Sequence, residues 1–205
     1  MRKKTVLIIV LFLVVNFSYA QTQKINHYYY EGVSKTKDGD YKGALIAFTK
    51  AIVIEPNSAG MWVNRGTTKC KLNDYKGGID DFSDAIRINP NFALAYYNRG
   101  FAKEKLKDYK GAMADYNKAL KLDPNYKEAY YNRGLLKLKQ NNFKSSIEDF
   151  DKTIILKPSH GSAHLNRGIA KLNLLDVDGA CADWSKAGEL GIEKAYMLIR
   201  RHCNN

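Results

Sequence analysis

The side chains that most often carry catalysis are few in this chain. It has four histidines, His27, His160, His164 and His202, and three cysteines, Cys70, Cys181 and Cys203. Nucleophilic catalysis needs a serine or cysteine beside an imidazole base that a third group orients. No serine–histidine–aspartate arrangement, HExxH helix or glycine-rich phosphate loop can be read here. The cysteine spacings match no zinc motif. No catalytic residue, no metal and no cofactor is therefore assigned, and the chain reads as a non-enzyme. What does recur is the chemistry of hydrogen bonding and ion pairing. Asn64, Asn98, Asn132 and Asn166 each open the tripeptide Asn-Arg-Gly. The arginines that follow, Arg65, Arg99, Arg133 and Arg167, are matched by Lys69, Lys103, Lys137 and Lys171 four residues on, and so on the same helical face. Asp81, Asp115, Asp149 and Asp183 keep the same rhythm. The first unit has Glu31 and Ala47 where the arginine and the aspartate would stand. Arginine and aspartate thus appear and vanish together, which predicts a pair joining two helices of one unit.

The elements that carry these rows repeat. Pro56, Pro90, Pro124 and Pro158, all the prolines of the chain, are 34 residues apart. Gly32, Gly66, Gly100, Gly134 and Gly168 keep the same step, and so do Phe48, Phe82, Tyr116, Phe150 and Trp184. Each unit holds two helical stretches. A glycine and a small residue let them approach, an aromatic ring fills the space beside them, and proline ends the second stretch. Asp40, Asp74, Asp108, Asn142 and Asp176 stand where they can cap its start. One unit cannot bury its apolar face alone, so the units must stack.

These residues resemble the tetratricopeptide repeat family, with aromatics at positions 4 and 24, glycine at 8, alanine at 20 and 27 and proline at 32 of each unit. Position 4 holds Tyr28, Trp62, Tyr96, Tyr130 and His164, where the histidine reads as a packing residue. The resemblance implies an all-α, right-handed solenoid of five repeats, 25–58, 59–92, 93–126, 127–160 and 161–194, with a capping helix and tail over 195–205. The fifth repeat departs at its end: Ile192 replaces the proline, Gly188 and Gly191 bracket the turn, and a last helix is expected from about Glu193.

In this family the first helix of each repeat lines a concave groove that holds peptides or proteins. The asparagine row then falls at position 6, where each amide could pair with both polar groups of an extended peptide backbone. This is similar to the asparagine ladder in the repeat superhelix of O-GlcNAc transferase. The other reading is that these asparagines bond to neighbouring helices. Position 5 supplies Tyr97 and Tyr131, an aromatic strip. Position 13 supplies Lys71, Lys105 and Lys139, either a groove edge favouring acidic peptides or a solvated face. The family's carboxylate clamp, a lysine at position 5 with an asparagine at position 9, is absent.

Residues 1–20 read as a secretory signal: Arg2, Lys3 and Lys4, an apolar run over 6–15 too short to span a bilayer, and Ser18-Tyr19-Ala20 before a cut ahead of Gln21. A retained anchor is the weaker alternative, and residues 21–24 form a short lead-in. The mature chain is then expected not to span a membrane and to be periplasmic or secreted, in a bacterium. Export permits disulfides, and helices running antiparallel across the turn near Gly191 would bring Cys181 and Cys203 together. The net charge is +12. An anionic polymer or lipid surface is therefore the alternative partner to a protein segment, and export argues against nucleic acid. The expected function is a protein-interaction scaffold in the bacterial envelope, serving as one subunit of a larger assembly or as an adaptor.

Overall fold

The computed structural model describes the backbone from Arg2 to Cys203 and the side chains from Tyr19 to Cys203. Most of the expected signal segment lies outside the described side chains. The described residues form helices and no strand: α1 (Arg2–Lys37), α2 (Tyr41–Ile54), α3 (Ala59–Lys71), α4 (Tyr75–Ile88), α5 (Ala93–Lys105), α6 (Tyr109–Leu122), α7 (Lys127–Lys139), α8 (Phe143–Leu156), α9 (Gly161–Asn173), α10 (Val177–Glu189) and α11 (Glu193–His202). Among them, no helix is long and apolar enough to cross a membrane. The chain divides into two compact units, residues 1–102 and 103–205. The first is built from the hairpins α1–α2 and α3–α4, and the second from α7–α8 and α9–α10, with α11 packed on α10.

Close helix approach explains the glycine lattice. A methyl group on Gly66 would sit 2.8 Å from the Phe82 ring, and one on Gly134 would sit 2.9 Å from Phe150. These rings are fully buried, so they have nowhere to retreat, and only glycine fits at position 8. In the first unit Phe82 packs with Val63, Ala85, Ala95 and Ala102. In the second, Trp184 packs with Leu165, Ala180, Ala187 and Ala195 of the cap.

The turn inside each hairpin has its own chemistry. The residue before the cap is left-handed at Gly39 (φ 79°), Asn73 (64°), Lys107 (64°), Asn141 (60°) and Leu175 (66°). The cap carboxylates of Asp40, Asp74, Asp108 and Asp176 each accept a hydrogen bond at 2.9 Å from the amide of Gly43, Gly77, Gly111 and Gly179. A side chain on Gly77 would start 2.2 Å from Oδ2 of Asp74, so the capping carboxylate and the glycine three residues on require each other. The fourth repeat has neither: Asn142 makes no side-chain cap, contrary to the expectation from sequence, and Ser145 stands where the glycine would be.

A disulfide joins Cys181 on α10 to Cys203 just past α11, with Cα atoms 5.9 Å apart. Ala195 is the one fully buried side chain of α11 among the described residues, with Leu198 and Ile199 packed beside it, and the crosslink adds to this packing. Cys70 is free and half-buried beside Gly78, and burial, with Asp74 and Asp81 nearby, pushes its thiol up to about 11. It is an inert packing group at neutral pH.

Two stability measurements follow. Leu175 holds a left-handed backbone that costs a branched residue about 1–2 kcal/mol, and its side chain is 87% exposed. Leu175→Gly should stabilise the chain by about 1 kcal/mol in urea unfolding. The disulfide closes a separation of 22 residues, so Cys181→Ser with Cys203→Ser should cost about 3 kcal/mol. Amide exchange should then quicken first within Glu193–His202, and uniform exchange would show that apolar packing alone holds the cap.

Candidate functional site

In the second, fourth and fifth repeats the two ionic rows meet at one buried carboxylate. Asp81 accepts from Nε and Nη2 of Arg65, both at 2.8 Å, and from Nζ of Lys69 at 2.8 Å. Asp149 accepts from Nε and Nη2 of Arg133 at 2.9 and 2.6 Å and pairs with Lys137 at 2.8 Å. Asp183 does the same with Nε of Arg167 at 2.9 Å and with Lys171 at 2.9 Å. Lys103 reaches Asp115 at 2.7 Å. The pairing therefore takes both basic rows, positions 7 and 11. In the first repeat, which lacks the aspartate, Lys35 turns to Asp40 at 3.2 Å and Glu31 at 3.8 Å instead.

Three of the arginines do more than the sequence pattern suggests. A terminal nitrogen of each donates to the preceding repeat's second helix: Arg99 Nη1 to Ser83 Oγ at 3.1 Å, Arg133 Nη1 to Asn117 Oδ1 at 2.7 Å and Arg167 Nη1 to Asp151 Oδ1 at 2.6 Å. The guanidinium also lies over the position-4 ring, 4.7 Å from Trp62 for Arg65 and 5.5 Å from Tyr130 for Arg133. The signal for the third contact was present in the sequence: Thr49, Ser83, Asn117, Asp151 and Ser185 are polar at one register on otherwise apolar-patterned helices.

His164, buried where the other repeats have an aromatic ring, joins this network. Its Nε2 is 3.1 Å from the carbonyl of Pro158, as Trp62 Nε1 donates to the carbonyl of Pro56 at 2.8 Å. Its Nδ1 is 3.5 Å from Asp183 and has no hydrogen-bond partner. The ring thus packs and also ties the preceding turn. Among the described residues no three histidine, cysteine or acidic side chains gather as metal ligands.

With positions 7 and 11 taken up, the polar rows that recur on the first helices are the asparagines and the outer lysines. Asn64, half-buried, rims a small cavity of about 170 Å³ with Val33, Lys37, Phe48 and Thr67. Asn98 Nδ2 donates to Thr67 Oγ1 at 3.4 Å. Asn166 Nδ2 donates to the carbonyl of Ser162 at 2.8 Å and to the Tyr131 hydroxyl at 3.2 Å. Asn132 also has a partner. Asn98 and Asn166 are therefore held by neighbouring groups, each with its carbonyl oxygen still available to accept. Tyr131 is half-buried against Phe150 and His160, and burial pushes its hydroxyl above the ordinary tyrosine range. Tyr97 is half-buried as well. Lys71, Lys105 and Lys139 are exposed. Lys139 stands 4.3 Å over the Tyr109 ring and donates to its hydroxyl.

Fold and geometry together are those of a tetratricopeptide repeat protein, and the chain belongs to that family. Profiles described as TPR repeat match residues 67–107 and 105–141, and one described as Tetratricopeptide repeat matches 131–187, together more than half of the chain. No curated protein sequence matches. Among solved structures, MamA protein is 26% identical with a TM-score of 0.73, over 85% of this chain and 96% of that one. YrrB, described as a TPR protein with an unusual peptide-binding site, is 19% identical with a TM-score of 0.71, over 89% and 98%, and shares the fold. The first TPR of Spaghetti (RPAP3), bound to the HSP90 peptide SRMEEVD, is 26% identical with a TM-score of 0.56, over 58% and 94%. Proteins of this family are typically non-enzymatic scaffolds for protein interaction.

The buried hubs make stability depend on acid. Burial raises the Asp183 carboxyl, but Arg167 and Lys171 outweigh it and hold it below the ordinary carboxylate range. A carboxylate lowered in the folded state contributes stability that is complete above its unfolded value, about 4, and is lost as pH falls through the folded value. The urea midpoint should therefore drop steeply below about pH 4. Asp183→Asn should flatten that acid limb while lowering stability at pH 7 by about 2–3 kcal/mol.

Proposed function

We propose that this protein is a non-catalytic adaptor that holds an extended, acidic segment of another protein along the first helices of its repeats, outside the cytoplasm. One observation carries the reading. Buried aspartates neutralise the inner basic rows, so what faces a partner is the asparagine row, exposed lysines and a small apolar cavity where Asn64 and Lys37 meet. An amide with a free acceptor can register a peptide backbone, the cavity takes a short apolar side chain, and the lysine draws a neighbouring carboxylate. The Spaghetti domain, bound to a peptide rich in acidic residues, supports the partner's chemistry. The lysine-at-5, asparagine-at-9 clamp is missing from this chain, so the binding geometry differs from a carboxylate clamp. Placement outside the cytoplasm rests on the charged, apolar and small-residue order of residues 1–20. The Cys181–Cys203 bond supports it, since such bonds persist in oxidising compartments. The alternative is an anionic envelope polymer or lipid surface held by the basic surface.

A photo-crosslinking residue at Thr67, in the full chain in its native cells, tests this. A discrete protein adduct through an extended acidic segment is expected. In the chain carrying Asn64→Ala with Lys37→Ala, affinity for that segment should fall about tenfold or more, the loss of one charge-assisted hydrogen bond. An adduct that persists unchanged would move the site off this face, and adducts of envelope polymer alone would favour the basic-surface alternative.

A further inference from the structure

The first hairpin departs from the others on its solvent face. In a repeat array equivalent positions do equivalent work, so a departure at one copy marks a local demand. Position 22 is Ile46 in the first repeat, and Asp80, Ala114, Glu148 and Ala182 in the rest. Position 29 is Val53, against Arg87, Lys121, Ile155 and Glu189. Ile46 is 59% exposed and Val53 is 77% exposed. Helix α2 carries no acidic residue at all, whereas α4, α6, α8 and α10 each carry at least one. Its charges are Lys42 and Lys50, both exposed and spaced with Ile46 and Val53 along one stripe. The nearest carboxylates are Asp40, the cap of α2, which Gly43 and Lys35 engage at 2.9 and 3.2 Å, Glu31, which faces Lys35 at 3.8 Å, and Glu55, just past the end of α2.

Beside this stripe α1 and α2 line an open hollow of about 540 Å³. Lys24 and Lys50 line it with Tyr28, and Val53 and Ile54 give it an apolar wall. The Lys50 ammonium lies 5.2 Å from the centre of the Tyr28 ring. Lys24 and Lys42 make no ion pair among the described residues. A face of exposed aliphatic side chains between unpaired lysines is soluble but costly, and it matches a surface that is apolar within and negatively charged at its edge.

We infer that this face of the first hairpin docks on an anionic phospholipid bilayer, with a phosphodiester headgroup held between Lys24 and Lys50 and with Ile46 and Val53 entering the acyl boundary. This site is independent of the peptide-binding reading, since it uses α2 with Lys24 and Tyr28 of α1, and neither the asparagine row nor the cavity beside Asn64.

An environment-sensitive fluorophore placed by Val53→Cys in the full chain, with Cys70→Ser to remove the free thiol, reads the contact locally. Ile155→Cys, at the same repeat position and 69% exposed, is the internal control. On vesicles containing phosphatidylglycerol the label at 53 should shift to the blue, and the label at 155 should not. Lys24→Gln with Lys50→Gln should raise the lipid concentration needed for half of that shift about 30-fold, from roughly a fivefold loss per lysine at a charged surface. Raising salt to about 0.5 M should weaken the shift as well. A shift of equal size on pure phosphatidylcholine, one unchanged by the lysine substitutions, or none at position 53 would each overturn the proposal. Helical circular dichroism of every variant confirms that folding is retained.

Discussion

Placing a carboxylate between two packed helices is expensive unless cations meet it, and that demand organises the repeats. The buried aspartates at position 23 require the guanidinium at position 7 and the ammonium at position 11. Because a guanidinium is planar and carries its donors in a fork, it can grip its own aspartate with two nitrogens and still present a third to the helix before it. Lysine at the same place could not do so. One ionic group therefore ties the two helices of a hairpin and, through Asn117 or Asp151, the preceding hairpin as well. Apolar packing brings the helices close, while the hub fixes their register.

The second constraint is space. A buried ring at position 24 and a capping carboxylate at position 16 each occupy the volume a side chain would need at positions 8 and 19. Two glycine rows follow, for two different reasons. The fourth repeat shows the coupling by losing both members of the second pair, Asn142 and Ser145 replacing aspartate and glycine.

Much of this was legible in the sequence because repetition exposes it. Five copies in register separate a residue required by packing from one present by chance, and the joint absence of arginine and aspartate from the first copy pointed to their pairing. Other features were not legible, for physical reasons. The lysine at position 11 shares a helical face with the arginine, but a face does not say which carboxylate a flexible side chain reaches. The arginine's link to the preceding repeat falls at one polar register, but its acceptor changes from serine to asparagine to aspartate, so no single residue type marks it. The asparagine row could be placed on the right helix from its spacing. Whether its amides are spent on neighbours depends on distances, and the answer differs along the row: Asn166 is held by Ser162 and Tyr131, while Asn64 rims an open cavity.

The hubs also change what the net charge means. Those at Asp81, Asp149 and Asp183 each gather two cations around one carboxylate, so part of the positive excess is structural and largely covered. Counting lysines and arginines over the whole chain overstates the charge offered to a partner. What is offered is local: the outer lysines of the first helices beside the asparagines, and the acid-free stripe of α2. These two faces differ in kind. One combines backbone-pairing amides with a small pocket, which selects shape and sequence. The other combines branched aliphatics with unpaired ammonium groups, which selects only an anionic, apolar boundary. A repeat array can separate such roles because each repeat answers mainly to its neighbours. The first copy could therefore exchange its buried ion pair for an exposed apolar stripe without disturbing the hubs further along.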